Sequence, residues 1–448
     1  MKKFKQVFSF LLVLVCFNSF VLHAADKDKK VNYIVPDSRD VTMYQVNMRV
    51  FSKEGNFKGV TERLDSIKSL GVNVIYLMPV YPVGVLKSVN SPYCVRDYKG
   101  LNSEFGTIKD LQNLVERAHQ KKMAIILDWV PNHTSYDHVW IQNKSWYLQD
   151  SAGNIISPPG RGWDDVAQLN FKNAEMRLAM IDAMKYWLKT ASVDGFRCDF
   201  ADGPPLDFWK QTLDSLRNFS QRKLLMMAEG KDPGLYKAGF DLNFGFEFFG
   251  GLKRIYARNK SVKFIDTLNI TDYESANDLQ RIIRYTSNHD VNSSDGTPID
   301  LFGGRQGSMA AFAVAAFMKS VPMIYNGQEV GLSYRLTFPF TGTKIDWTPN
   351  TSITNEYKKI IAFRNSSAAI RRGVLISYST DDVCAFVKQN GNEKVLVIVN
   401  MRNKPVIFNV PGAIAGTNWK NEMNAGNITV QKDLELQPYS YLVFSAGK

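Results

Sequence analysis

The 448-residue chain is 45% hydrophobic and 22% charged, with a formal net charge of +12. That length can bury one large core or build two or three domains, and the ordinary composition excludes collagen-like, coiled-coil and low-complexity architectures. The 55 basic residues are scattered, with no block and no interleaved aromatics, which argues against a nucleic-acid face.

The first segment has the makings of a leader. Lys2, Lys3 and Lys5 precede an apolar run at 7–22, and "HAAD" at 23–26 offers small residues for cleavage. This pattern predicts a secretory signal peptide over 1–25 and export to a periplasm or beyond the cell, with no membrane span once it is removed. Cys94, Cys198 and Cys384 would then remain. They are odd in number and far apart, so no disulfide framework is expected. No CxxC or HExxH spacing supports metal-centred chemistry. Nothing in the pattern speaks to oligomeric state.

From residue 41 to about 371, strand-like and helix-like segments alternate. Strands are predicted at 41–51, 72–80, 123–130, 193–200, 223–229, 239–244, 282–288 and 321–325. Helices are predicted at 58–69, 107–122, 174–191, 205–219, 307–319 and 354–371. Apolar strands between amphipathic helices read as parallel strands covered on both faces, and about eight such units imply a (β/α)8 TIM barrel. No Gly-rich phosphate loop follows the first strand, which weighs against an open doubly wound sheet. A polar stretch at 131–170 interrupts the series after the third strand. The expected organisation is a barrel over 26–372 with that short inserted subdomain. A C-terminal antiparallel β-sandwich follows at 373–448, opening with a hairpin at 382–400 around Asn390–Gly391.

Catalytic groups of such a barrel belong at the C-terminal ends of its strands. Those ends read "DWVPNH" (128–133), "GFRCD" (195–199), "MAEG" (227–230) and "SNHD" (287–290). Asp128, His133, Arg197, Asp199, Glu229, His289 and Asp290 therefore gather where chemistry is expected. Arg197 and Asp199 share a face at spacing two, about 6–7 Å apart by strand rise. The cation would lower the carboxylate's pKa and suit a nucleophile, although a plain structural ion pair looks the same. Glu229 follows the apolar "LLMMA", whose surroundings would raise its pKa and suit a general acid. One charged and one protonated carboxylate is the requirement of glycoside hydrolysis.

These four stretches resemble the α-amylase superfamily of retaining glycoside hydrolases (glycoside hydrolase family 13), as do "GVNVIYLMP" (71–79) and "VPMIYNGQE" (321–329). The resemblance runs from about residue 41 to the end. It implies Asp199 as nucleophile, Glu229 as acid/base and Asp290 as stabiliser of the distorted sugar. It also implies Arg197, His133 and His289 around the same subsite. "YCVRD" (93–97) makes Tyr93 the candidate stacking platform, and Trp140, Trp146, Tyr147 and Trp163 are further stacking candidates. The implied activity is retaining cleavage of α-1,4-glucosidic bonds in starch-derived glucans. The alternatives are an α-1,6-glucosidase or neopullulanase, a 4-α-glucanotransferase, or a non-catalytic glucan-binding protein. Three departures stand out. Asp202 and Gly203 occupy places where many relatives have Lys-His. Phe200 replaces a small residue. Gln168 stands where calcium-binding relatives have an aspartate, although Asn132 matches one of their ligands. The chemistry needs no cofactor, and structural calcium is an open expectation.

Overall fold

Eight short strands, every residue of them buried, close into a parallel barrel. They are β1 (Met43–Val46), β2 (Val74–Leu77), β3 (Ala124–Trp129), β4 (Gly195–Cys198), β5 (Leu225–Ala228), β6 (Leu242–Phe244), β7 (Arg281–Tyr285) and β8 (Val321–Tyr325). Spatial order follows chain order, and β8 returns to pair with β1, Met323 opposite Met43. The computed structural model describes residues 33–348, 350–424 and 426–447. The leader expected at 1–25 lies outside them. Among the described residues no helix is long and apolar enough to cross a membrane.

The helices between strands are amphipathic for local reasons. Ile108–Gln120 buries Leu111, Leu114, Val115 and Ala118, one helical stripe, and Thr107 opens it with a capping box to Asp110. Gly195 begins β4 with φ +151°; a Cβ there would meet the Leu225 carbonyl oxygen at 1.9 Å, so only glycine lets β4 and β5 close on each other.

Several boundaries differ from expectation. The first strand stops at Val46, because Asn326 takes the Asn47 N–H and Met48–Phe51 turns helical. The helix predicted at 58–69 breaks at Arg63 into Phe57–Glu62 and Leu64–Ser69. Helices Phe246–Arg258 and Phe264–Thr271 are additional; paired phenylalanines and glycines blur the helical period of the first. Within 131–170, His133–Ser135 pairs antiparallel with Val166–Gln168. The C-terminal part holds a six-stranded antiparallel sheet and a two-stranded one, with Leu396, Ile398, Phe408, Leu436 and Phe444 in a shared core. Its first hairpin turns at Gly391–Asn392, one residue later than expected, since Asn390 already pairs with Glu393.

Candidate active site

β3, β4 and β5 deliver their acids to one cation. Arg197 is fully buried; its Nη1 lies 2.7 Å from Asp128 Oδ1 and 2.9 Å from Asp199 Oδ1, and its Nη2 pairs with Glu229 Oε1. One guanidinium thus serves three carboxylates. This alters the expected electrostatics of the pair on β4. Burial pushes the Asp199 carboxyl well above the usual carboxylate range, and Glu229, Asp128 and Asp290 add to that push while Arg197 opposes it. Nor does Glu229 sit in an apolar pocket: besides Arg197, it receives the Phe200 N–H on Oε2 at 3.0 Å. Phe200 makes that donation from φ +40°, a strained conformation for an aromatic residue.

A second chain of hydrogen bonds lines the floor. Gln45 Nε2 donates to His289 Nδ1 at 2.8 Å, so the His289 proton sits on Nε2. Nε2 meets the Tyr93 hydroxyl at 2.7 Å, and Tyr93 donates to Asp128 Oδ2 at 3.0 Å. Tyr76 donates to the same oxygen at 2.7 Å. Burial raises the Asp128 carboxyl to about 6 against the pull of Arg197. Asp128 therefore acts as the anchor of Arg197, Tyr76 and Tyr93. Burial holds His289 neutral down to about 3, with Arg197 adding to the effect, and His133 down to about 4. Asp290 Oδ1 lies 3.3 Å from His289 Nε2, and its side chain is 60% exposed at the mouth.

The three residues assigned catalytic roles and the four placed around the same subsite, Tyr93 among them, fall together here. Tyr93, His133, Asp199, Glu229, His289 and Asp290 line one cleft of about 910 Å³, with Arg197 beneath. Trp163, Phe200, Phe246 and Phe338 give it apolar walls. Tyr93 lies nearly parallel to His289, ring centres 5.4 Å apart. Of the four stacking candidates in the excursion, only Trp163 reaches the cleft. Tyr147 is buried, and Trp140 packs on Tyr98, His138 and Trp146. Sequence reasoning missed Gln45, Tyr76, Phe246 and Phe338. The first two lie on β1 and β2, whose polar and phenolic residues were the available signal. Asp202 does not face the cleft; it accepts the N–H of Lys231 at 2.8 Å and of Asp232 at 3.0 Å, bracing the loop after Glu229.

The residues matching a calcium site do not fit a cation. Asn132 and Gln168 are joined amide to amide, and among the described residues no cluster of three or more acidic, histidine or cysteine side chains is placed to hold a metal.

Fold and cleft together define a barrel hydrolase that works with carboxylates at its strand ends. The family model for the alpha amylase catalytic domain matches residues 23–153 and 162–339, and the chain belongs to the α-amylase family of glycosidases. Alpha-amylase 2 of Dictyoglomus thermophilum is 28% identical over 86% of this chain and 70% of its own length. A probable oligo-1,6-glucosidase 3 of Bacillus subtilis is 26% identical over 67% of each chain. The crystal structure of a noncanonic maltogenic alpha-amylase from Thermotoga neapolitana superposes with a TM-score of 0.82 at 25% identity, covering 92% of this chain and all of that one.

Proposed function

We propose that the protein is an exported enzyme that cleaves α-1,4-glucosidic bonds in starch-derived glucans and maltooligosaccharides, with retention of configuration. The observation that carries this is the pair Asp199 and Glu229 on neighbouring strands, both ion-paired to Arg197 at the floor of an aromatic-walled cleft. Asp199 attacks the anomeric carbon while Glu229 gives its proton to the departing glycosidic oxygen. Water then adds its oxygen to that carbon, returns a proton to Glu229 and frees Asp199. Two inversions make a retention. Carboxylates outnumber the cation in this cluster, which favours keeping one proton within it. Asp290, His133 and His289 hold sugar hydroxyls around the reacting carbon, and Tyr93 underlies the ring. Export rests on the leader-like residues 1–25.

The relative named a probable oligo-1,6-glucosidase makes α-1,6 cleavage the second reading. A product time course on amylose, pullulan and short maltodextrins, followed by chromatography and anomeric NMR, separates them. Mixed oligosaccharides from amylose, released as the α-anomer, are expected. Turnover confined to the α-1,6 bonds of pullulan favours the second reading, and β-anomeric product overturns the nucleophile.

A further inference from the structure

We propose that the carboxamide of Gln168 does the work of a structural cation in this chain, so that the inserted excursion is locked to the barrel without metal. Gln168 Nε2 lies 3.0 Å from the Asn132 carbonyl oxygen, 3.2 Å from Asn132 Oδ1 and 3.1 Å from the Leu169 carbonyl oxygen. Its Oε1 accepts from Asn132 Nδ2 at 3.0 Å. Gln168 and Asn132 are 8% and 2% exposed, so these bonds form away from bulk water.

Three oxygens converging on one buried point is what a hard cation asks for. Calcium, however, takes six to eight oxygens at about 2.3–2.6 Å, usually with carboxylates among them to balance its charge. Here the convergent oxygens are two carbonyls and an amide, all neutral. The point they surround holds a nitrogen whose two hydrogens serve them at hydrogen-bond distance. The amide supplies positive polarity without net charge, so no carboxylate is needed opposite it.

The position of this lock gives it a consequence at the cleft. Asn132 immediately precedes His133, whose Nδ1 faces Asn132 Nδ2 at 3.3 Å, and His133 lines the cleft. Asn132 also touches the loop that follows Asp199: a Cβ on Gly203 would meet Asn132 Oδ1 at 2.3 Å. The Leu169 N–H donates to the Asn132 carbonyl at 3.2 Å, so both ends of the excursion, His133–Ser135 and Val166–Gln168, are tied at this one point. The lock holds whichever α-glucosidic bond is cut.

The test uses the full purified chain. Its metal content is measured after gel filtration in EDTA, and its thermal midpoint is recorded in EDTA and in millimolar calcium chloride. Near-zero bound calcium and coincident midpoints are expected. A midpoint that falls in EDTA and recovers with calcium overturns the proposal, and so does one calcium per chain. Gln168→Glu keeps the shape and replaces the donor with a carboxylate aimed at three oxygens. It should melt several degrees lower in EDTA and regain stability as calcium is titrated, a saturable shift that an uncharged loss would not show. Gln168→Met should melt lower with no response to calcium. If Gln168→Glu melts like the parent in both conditions, the amide is not the lock.

Discussion

Asp194 and Asp199 stand at opposite ends of β4. Asp194 is fully buried among donors: the Ile125 N–H at 2.8 Å, His119 Nε2 at 2.8 Å and Arg222 Nη1 at 3.1 Å. Asp199 must share the Arg197 guanidinium with Asp128 and Glu229. Donors outnumber the acid at the N-terminal end of the strand, and acids outnumber the donor at the C-terminal end. A buried carboxylate with its hydrogen-bonding capacity met adds to stability, whereas one crowded by like charges lowers it. At β4, then, the carboxylate matched by donors stands at the N-terminal rim and the crowded one at the C-terminal rim.

The sharpest break of this comparison is to exchange the roles by mutation. On the proposed mechanism Asp199→Asn should lower kcat by about 10⁴-fold or more, since the proposed nucleophile is gone, without lowering the thermal midpoint. Removing a crowded charge should stabilise the fold by about 1 kcal/mol at neutral pH. Asp199 takes up its proton well above the usual range, so its ionised form disfavours folding once pH rises through that raised value. The stability gained by Asn should therefore vanish in acid, and urea melts at several pH values would read it. A large loss of midpoint in Asp199→Asn would sink the comparison.

Asp194→Ala should do the reverse. It leaves the buried Ile125 N–H without its carboxylate acceptor, and should lose about 2–4 kcal/mol in a urea melt while kcat of the folded enzyme stays within about twofold. Tyr93→Phe removes the hydroxyl that joins His289 to Asp128 and should lower kcat/KM by about tenfold. The acid limb of the pH profile of kcat/KM should lie above the ordinary aspartate range near 4, because as the proposed nucleophile Asp199 has to be ionised. The histidines do not account for that limb, since they stay neutral to about 3 and 4. The smallest effect is expected from Asp202→Ala, which frees two backbone donors after Glu229 and should cost about threefold in kcat with KM unchanged.

The site was legible in the sequence because its groups follow directly on the apolar strands that carry them. "GFRCD" and "MAEG" place Asp199 and Glu229 just beyond β4 and β5, as strand-end reasoning requires. What stayed hidden is contact between strands. β4 and β5 run in register, Cys198 opposite Ala228, and only that pairing brings the Arg197 side chain to Glu229. A local pattern had tied the arginine to Asp199 alone and so turned the expected pKa shift the wrong way. Gln45 was hidden for a related reason: a polar residue within a strand shows its purpose only once His289, far along the chain, is beside it. The excursion's tryptophans were ambiguous because stacking on sugar and stacking on Tyr98 use the same side chain.

The chain as a whole is basic at +12, yet its cleft gathers Asp199, Glu229 and Asp290 over Asp128, with one guanidinium among them. Such a hollow is a cation trap inside a cationic particle. It repays a sugar that develops positive charge as its bond stretches, and it should hold protonated imino-sugars more tightly than neutral sugars of the same shape. That preference should strengthen as pH rises and the carboxylates ionise, up to the point where the inhibitor itself loses its proton.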